Sequence, residues 1–268
     1  MRRVIRCMAS WYDAVMRNRI IVAGVPVDPL TSEEAVLCAA ELAADGGQHL
    51  IVTPNPEMAV LADRDPSFEK ILESSDLALA DGFGLRIAAW LEGKHIPETI
   101  TGVIFTLILA SLSEQKKYSV YLLGGAPEIA ERAAAGLKRN YPELKIAGAE
   151  HGGRIRWIAG GWEEDGRLAQ RIAASKPDIL FVALGHGKQE RWIRDHLASL
   201  PSIRIAVGVG GTFDFLAGEV WRAPHMVRAL HLEWLWRLVI QPWRAPRIFE
   251  ATFVFLWMVL KKRLKRVR

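Results

Sequence analysis

The sequence predicts an α/β fold: a doubly wound, mainly parallel sheet with a helical C-terminal appendage. Short apolar runs alternate with helical stretches along residues 19–220, and each run stops at glycines or small polar residues. From about Trp221 the character changes to aromatic and basic helical segments. Strands alternating with helices at this spacing form βαβ units, and consecutive units lay their strands side by side in one sheet. At 268 residues the chain suits one substantial domain plus an appendage, and is too short for two full-sized domains.

Arg19 to Val27 carries turn signals at Gly24 and Pro26 and reads as a short hairpin ahead of the main sheet. Thr31-Ser32-Glu33-Glu34 is a capping box, and the helix it opens continues from Ala35 to Ala44 and stops at Gly46-Gly47. His49 to Thr53 is a strand. The following Pro54-Asn55-Pro56 reads as a fixed loop that excludes helix beside Asn55. Helical pieces follow at Met58 to Asp63 and Ser67 to Glu73, then a short buried strand at Leu77 to Ala80 and a helix from Phe83 to Glu92.

Gly102 to Ser113 is an apolar helix, and Tyr118 to Leu123 a strand running into Gly124-Gly125-Ala126-Pro127. Pro127 is expected to start the helix Glu128 to Arg139. Leu144 to Ala149 reads as a strand, Glu163 to Ser175 as a helix, and Asp178 to Leu184 as a strand stopping at Gly185-His186-Gly187. The next helix has Gln189 and Glu190 in its first turn. Ile203 to Val207 is the last strand, ending at Gly208-Val209-Gly210-Gly211. Pro224 to Leu238 is helical, and a further segment runs from Gln241-Pro242 to the end. The expected divisions are a basic extension over 1–18, the α/β domain over 19–220 and the helical appendage over 221–268.

The strand ends carry the candidate chemistry: Thr53 with Asn55, Asp81 with Gly82, Gly124 with Gly125, Gly185 with Gln189, and Gly208 with Gly211. In a Rossmann-like parallel sheet these ends share one edge and converge on one crevice. Glycines there let backbone N–H groups approach a phosphate, and helix N-termini add positive potential. Asp81 taken alone reads first as a helix cap. Its place at the end of a buried strand, among the other clusters, turns the reading toward chemistry.

Composition removes several function classes. Cys7 and Cys38 make neither a disulfide framework nor a zinc spacing, which fits a reducing cytoplasm. The seven histidines are scattered, and Asp63-Arg64-Asp65 points its carboxylates to opposite sides of a helix, so no metal site is expected. Gly208 to Gly211 lacks the full dinucleotide spacing and lies on the last strand, and no G-x-S-x-G elbow occurs; no cofactor is expected.

The net charge of +5 is concentrated at the two ends, in Arg2, Arg3, Arg6, Arg17 and Arg19 and in Lys261 to Arg268. No helix in the middle of the chain interleaves arginines with stacking aromatics, so nucleic acid is not an expected partner. Both basic ends carry large apolar side chains, which favours a membrane surface. The apolar run Ala251 to Leu260 is about half the length a bilayer requires. It reads either as a helix in the headgroup layer or as a core helix or homo-oligomer contact.

Taken in order, Thr53-Pro54-Asn55-Pro56, Ala80-Asp81-Gly82-Phe83-Gly84, Leu123 to Pro127, Gly185 to Glu190 and Gly208 to Gly218 with Phe213-Asp214-Phe215 resemble the WecG/TagA/CpsF glycosyltransferases, glycosyltransferase family 26. Arg222-Ala223-Pro224, Glu233 to Arg237 and Pro242-Trp243-Arg244 extend the resemblance, which covers about Arg19 to Phe249.

The resemblance implies an inverting, metal-independent enzyme. It would move a sugar, usually of N-acetylhexosamine type, from a UDP-sugar to a polyprenyl-diphosphate-linked saccharide at the cytoplasmic face of the membrane. It implies that Asp81 is the general base, that Thr53, Asn55 and Gln189 line the same pocket, and that Arg237, Arg244 and Arg247 close over the site and hold diphosphate. A carboxylate within reach of a sugar hydroxyl suits that chemistry, and without a metal the departing diphosphate needs glycine N–H groups, helix N-termini and arginines. This chain departs from the family pattern at Thr99 and Ile104, where arginine and aspartate are usual, and at Gly187, where proline is common. The charged pair missing at Thr99 and Ile104 raises a second reading, a non-catalytic scaffold that binds UDP-sugar or lipid diphosphate.

Overall fold

The computed structural model describes residues 18–158, 161–221, 224, 226–227 and 233–266. The N-terminal extension, apart from Asn18, lies outside the described residues, as do Arg222 and Ala223 of the Arg222-Ala223-Pro224 motif.

Six parallel strands form the main sheet: β3 (His49–Val52), β4 (Leu77–Ala78), β5 (Ser119–Gly124), β6 (Lys145–Glu150), β9 (Ile179–Ala183) and β10 (Ile205–Gly208). Their spatial order is β4-β3-β10-β9-β5-β6, so the last strand of the chain lies in the middle of the sheet, between β3 and β9. The expected hairpin is present as β1 (Ile20–Val22) paired antiparallel with β2 (Val25–Val27).

Alternation along the central strands divides the core into two layers. Leu50, Val52, Leu180, Val182 and Ala206 face one layer, and Ile51, Ile179, Phe181, Ile205 and Val207 face the other. A period of two is what a strand buried on both faces requires. The first layer packs on the β1–β2 hairpin, α2 (Pro56–Arg64), α3 (Pro66–Glu73), α4 (Phe83–Leu91), α7 (Leu168–Ser175) and α8 (Lys188–His196). The second packs on α1 (Ser32–Ala44), α5 (Gly102–Lys116), α6 (Ile129–Asn140) and α9 (Thr212–Leu216). The capping box at Thr31 is formed as the sequence predicts.

Three expectations are corrected. Pro56 is the first residue of α2, with Asn55 as its N-cap. Proline is acceptable at that position because the missing N–H would have had no partner there. Pro127 does not start a helix: α6 begins at Ile129, behind Glu128 in a left-handed conformation at φ 68°. The helix expected from Glu163 begins only at Leu168, because a second hairpin, β7 (Arg156–Ile158) and β8 (Gly161–Glu163), precedes it. Trp157 and Trp162 sit directly opposite one another in that hairpin with ring centroids 5.1 Å apart, a cross-strand aromatic pair that favours strand over helix.

The C-terminal segment comprises α10 (Glu233–Ile240), a 3-10 turn Pro242–Arg244, α11 (Ala245–Phe249), a π-helical turn Glu250–Val254 and α12 (Phe255–Arg266). The helix expected from Pro224 to Leu238 runs partly through residues outside the described set, and its described C-terminal part is α10. Phe255, Met258 and Val259 of α12 are buried in the first core layer. Three ion pairs among the described residues bind the same segment to α2: Arg247 to Glu57 at 2.7 Å, Arg64 to Glu250 at 2.5 Å and Lys262 to Asp63 at 2.7 Å. The opposite side of the segment exposes Phe253, Trp257, Leu260 and Leu264.

Candidate active site

The carboxyl ends of β4, β3, β10 and β9 open onto a cavity of about 560 Å³, within the range of small-molecule sites. Thr53, Asn55, Asp81, Gly82, Gly185 and Gln189 line it, and Arg247 reaches it from α11. Gly124 and Gly125 do not. They end β5, the neighbour of β9 on the far side, and the cavity belongs to the other half of the sheet.

The glycines of that loop have another use. A side chain at Gly124 would come within 2.6 Å of the Ala183 carbonyl oxygen, and the Gly125 N–H donates to that same oxygen at 3.0 Å. The Gly125 N–H thus holds two loops together. Gly208 also stands behind the cavity wall, where a Cβ would press on the Gln189 amide at 2.5 Å. Arg237 lies in α10 and Arg244 in the 3-10 turn, and the side chains of both lie outside the described residues.

Asp81 is positioned by three segments. Its N–H donates to the Pro54 carbonyl at 2.8 Å, which ties the β4 end to the β3 end and brings Asp81 beside Thr53 and Asn55. Its Oδ2 accepts the N–H of Gly102 at 3.3 Å, the first residue of α5, whose N-cap is Thr101. The positive end of a helix favours a carboxylate there. The approach to α5 is held in turn by Glu98, whose two oxygens accept the Ser32 N–H and hydroxyl, each at 2.7 Å. Gly82 turns the chain away from Asp81 at φ 93°, a conformation that favours glycine.

Asn55 Oδ1 accepts the Met58 N–H at 2.9 Å as the cap of α2, so its amide NH₂ is what it can offer a ligand. Gln189 is held at both ends of its amide. Its Nε2 donates to Glu190 Oε1 at 2.7 Å, and its Oε1 accepts the Gly210 N–H at 3.0 Å. Glu190 is fully buried, and burial pushes its carboxyl above the ordinary range against the hydrogen bonds that favour its ionised form.

Sequence reasoning missed Glu57. Its Oε2 accepts from Arg247 Nη2 at 2.7 Å and lies 2.9 Å from His186 Nδ1; all three residues line the cavity. Burial alone would raise the Glu57 carboxyl, but the contacts from His186 and Arg247 outweigh it and hold the group down at about 2. The available signal was weak, because a glutamate directly after Pro56 reads as an ordinary acidic residue in a helix first turn.

Among the described residues no group of three or more His, Cys, Asp or Glu side chains is placed to hold a metal ion. Among them, too, no helix is long and apolar enough to cross a membrane.

The family model described as Glycosyl transferase WecG/TagA/CpsF family matches residues 20–268. The chain belongs to that glycosyltransferase family. A Bacillus spizizenii protein named N-acetylglucosaminyldiphosphoundecaprenol N-acetyl-beta-D-mannosaminyltransferase is 38% identical over 201 residues, which cover 75% of this chain and 74% of the relative. Proteins of the same name from Bacillus subtilis and Staphylococcus aureus are each 31% identical over 218 residues. Those alignments cover 81% and 80% of this chain and 81% of each relative.

Thr99 and Ile104 both line the cavity. Val103 and Ile87 line it as well. Gly187 has φ 79°, and its N–H donates to the buried Glu190 at 2.7 Å. Proline could neither adopt that φ nor make that bond.

Proposed function

We propose that this chain transfers a sugar, of N-acetylhexosamine type, from a UDP-sugar to a polyprenyl-diphosphate-linked saccharide in cell-surface or exopolysaccharide assembly, with inversion and without a metal. The observation that carries the reading is the placement of Asp81. Its carboxylate is anchored at the N-terminus of α5 and lines one cavity with Thr53, Asn55 and Gln189, in a chain whose relatives are named as N-acetylmannosaminyltransferases acting on a diphosphoundecaprenol-linked sugar.

In this reading the acceptor hydroxyl attacks the anomeric carbon of the donor from the face opposite the nucleotide. The carbon–oxygen bond to UDP breaks as the new glycosidic bond forms, and Asp81 takes the hydroxyl proton. The departing diphosphate carries negative charge, which the N-termini of α5 and α8 and the guanidinium of Arg247 are placed to offset. Arg237 and Arg244 join Arg247 in holding the lipid diphosphate. The buried Gln189 amide and the Asn55 NH₂ orient the sugar, and Gly124, Gly125 and Gly208 support the loops around it.

The outer side of the C-terminal segment supports a peripheral seat on the cytoplasmic membrane surface. Phe253, Trp257, Leu260 and Leu264 are exposed there next to Lys261 and Arg263, the mixture that suits a headgroup layer. The competing arrangement is a second subunit on the same face.

The deciding measurement is radiolabel transfer from a panel of UDP-sugars to a polyprenyl-diphosphate acceptor, with and without chelator, for the native chain and Asp81→Asn. Transfer by the native chain in chelator, abolished in the variant, is the expected result. Full activity in Asp81→Asn would remove the base, and strict metal dependence would remove the mechanism. The replacements at Thr99 and Ile104 favour the second reading, a scaffold that binds without turnover; calorimetric binding with no transfer on any donor would establish it.

A further inference from the structure

We propose that Glu57 is a positioning residue that docks Arg247, and with it the C-terminal segment, at the cavity before a diphosphate arrives. The inference deepens the reading above and rests on it for the identity of the ligand; the docking itself comes from the geometry.

Glu57 and Arg247 are 190 residues apart in the chain and meet at 2.7 Å. His186, from the loop between β9 and α8, completes the cluster: its Nδ1 lies 2.9 Å from the same carboxylate oxygen and 3.0 Å from Arg247 Nη2. When both nitrogens direct a hydrogen at Glu57, the histidine and arginine approach each other donor to donor. The carboxylate between them offsets that approach; in the other tautomer Nδ1 accepts from Arg247, and the Glu57–Arg247 contact is present in both.

Two other ion pairs among the described residues join the C-terminal segment to α2, Arg64 with Glu250 and Asp63 with Lys262, beside the apolar packing of Phe255, Met258 and Val259. The side chains of both pairs are at least one-third exposed, where an ion pair contributes little. The Glu57 side chain is only 17% exposed while that of Arg247 is 49% exposed, so this link is shielded at its carboxylate end. The contacts of Arg247 with Glu57 and His186 both use Nη2, and the guanidinium carries further donors on Nη1 and Nε. The hydrogens on Nη1 and Nε can each donate to a phosphate oxygen. Fixing one nitrogen removes rotamer freedom that the arginine would otherwise lose on binding, which is preorganisation.

The test compares the native chain with Glu57→Ala, Glu57→Gln, Arg247→Ala and the Glu57→Ala/Arg247→Ala double variant. Amide hydrogen exchange over residues 245–256 is expected to quicken by about tenfold in Glu57→Ala, and less in Glu57→Gln, the loss of a charge-assisted hydrogen bond. In transfer assays KM for the polyprenyl-diphosphate acceptor should rise by about tenfold, with kcat changed much less. In the Arg247→Ala background the Glu57 substitution should add nothing to either readout. Unchanged exchange and KM in Glu57→Ala would overturn the proposal. So would a Glu57 effect that persists in full without Arg247, since a helix-capping role alone would behave that way. If no donor supports transfer, the functional reading fails while the exchange measurements still decide the docking.

Discussion

Gln189 and Glu190 are neighbours in the chain, and the amide of the first donates to the buried carboxylate of the second at 2.7 Å. With the Gly210 N–H on the amide oxygen and the Gly187 N–H on the other carboxylate oxygen, the orientation of Gln189 toward the cavity is determined from both ends. Glu190→Ala leaves a buried N–H and a buried amide short of a partner. A loss of about 1–3 kcal/mol in urea unfolding is expected, together with a fall in kcat/KM as Gln189 is released. Glu190→Gln keeps an acceptor and should lose less on both counts. Equal stability and activity in all three proteins would show that Glu190 does not hold Gln189.

Asp81→Asn retains an oxygen for the Gly102 N–H and a similar shape, so the melting temperature should move little. Activity should fall by roughly 10²–10⁴, the usual contribution of a positioned general base. A large drop in melting temperature would instead assign Asp81 a structural role.

Gly208→Ala tests why small residues occupy the strand ends. The added methyl would stand 2.5 Å from the Gln189 amide nitrogen, so the amide must move. Overpacking of this kind costs about 1–3 kcal/mol, and transfer activity should fall further than stability alone explains. Activity retained at the native level would show that Gln189 can shift without consequence.

The two sides of α12 should respond differently. Phe255 is fully buried, and Phe255→Ala is expected to cost about 3–5 kcal/mol in chemical unfolding. Trp257 is 70% exposed, and Trp257→Glu should leave stability within about 0.5 kcal/mol. The same variant should reduce flotation with anionic liposomes. Truncating the chain at residue 249 is a poor test of membrane binding, because it also removes Phe255, Met258 and Val259 from the core.

A pH-dependent contribution is expected at the opposite edge of the sheet. His49 lies 3.3 Å from Asp76 and 2.9 Å from Asp45; the Asp76 contact leads, Asp45 adds to it, and together they outweigh burial and raise its pKa. A raised histidine contributes stability that is fully present below its ordinary value of 6.5 and is lost as pH rises through the folded value. The melting-temperature advantage of the native chain over His49→Asn should therefore shrink from pH 6 toward alkaline pH. An advantage independent of pH would show that the imidazole stays neutral in the fold.

Much of this was legible in the residues. The strand ends, the capping box at Thr31 and the position of Asp81 follow from local periodicity and from where glycine, proline and asparagine interrupt it. The β7–β8 hairpin was hidden because each strand is only three residues long and its evident support is the cross-strand pair Trp157–Trp162. Glu57 was hidden for a similar reason: its partners His186 and Arg247 lie far along the chain.

What the sequence determined by itself was the set of elements and the edge of the sheet on which they present their chemistry. Periods of two and 3.6 residues, and the residues that end them, are local properties of a chain. Only the tertiary structure decided which strand ends share a cavity. Strand order placed β10 between β3 and β9 and set β5 beyond them, so Asp81, Asn55 and Gln189 met while Gly124 and Gly125 were left to pack the neighbouring loop. That order is settled by long-range burial of both faces of the sheet, which no local stretch of sequence records.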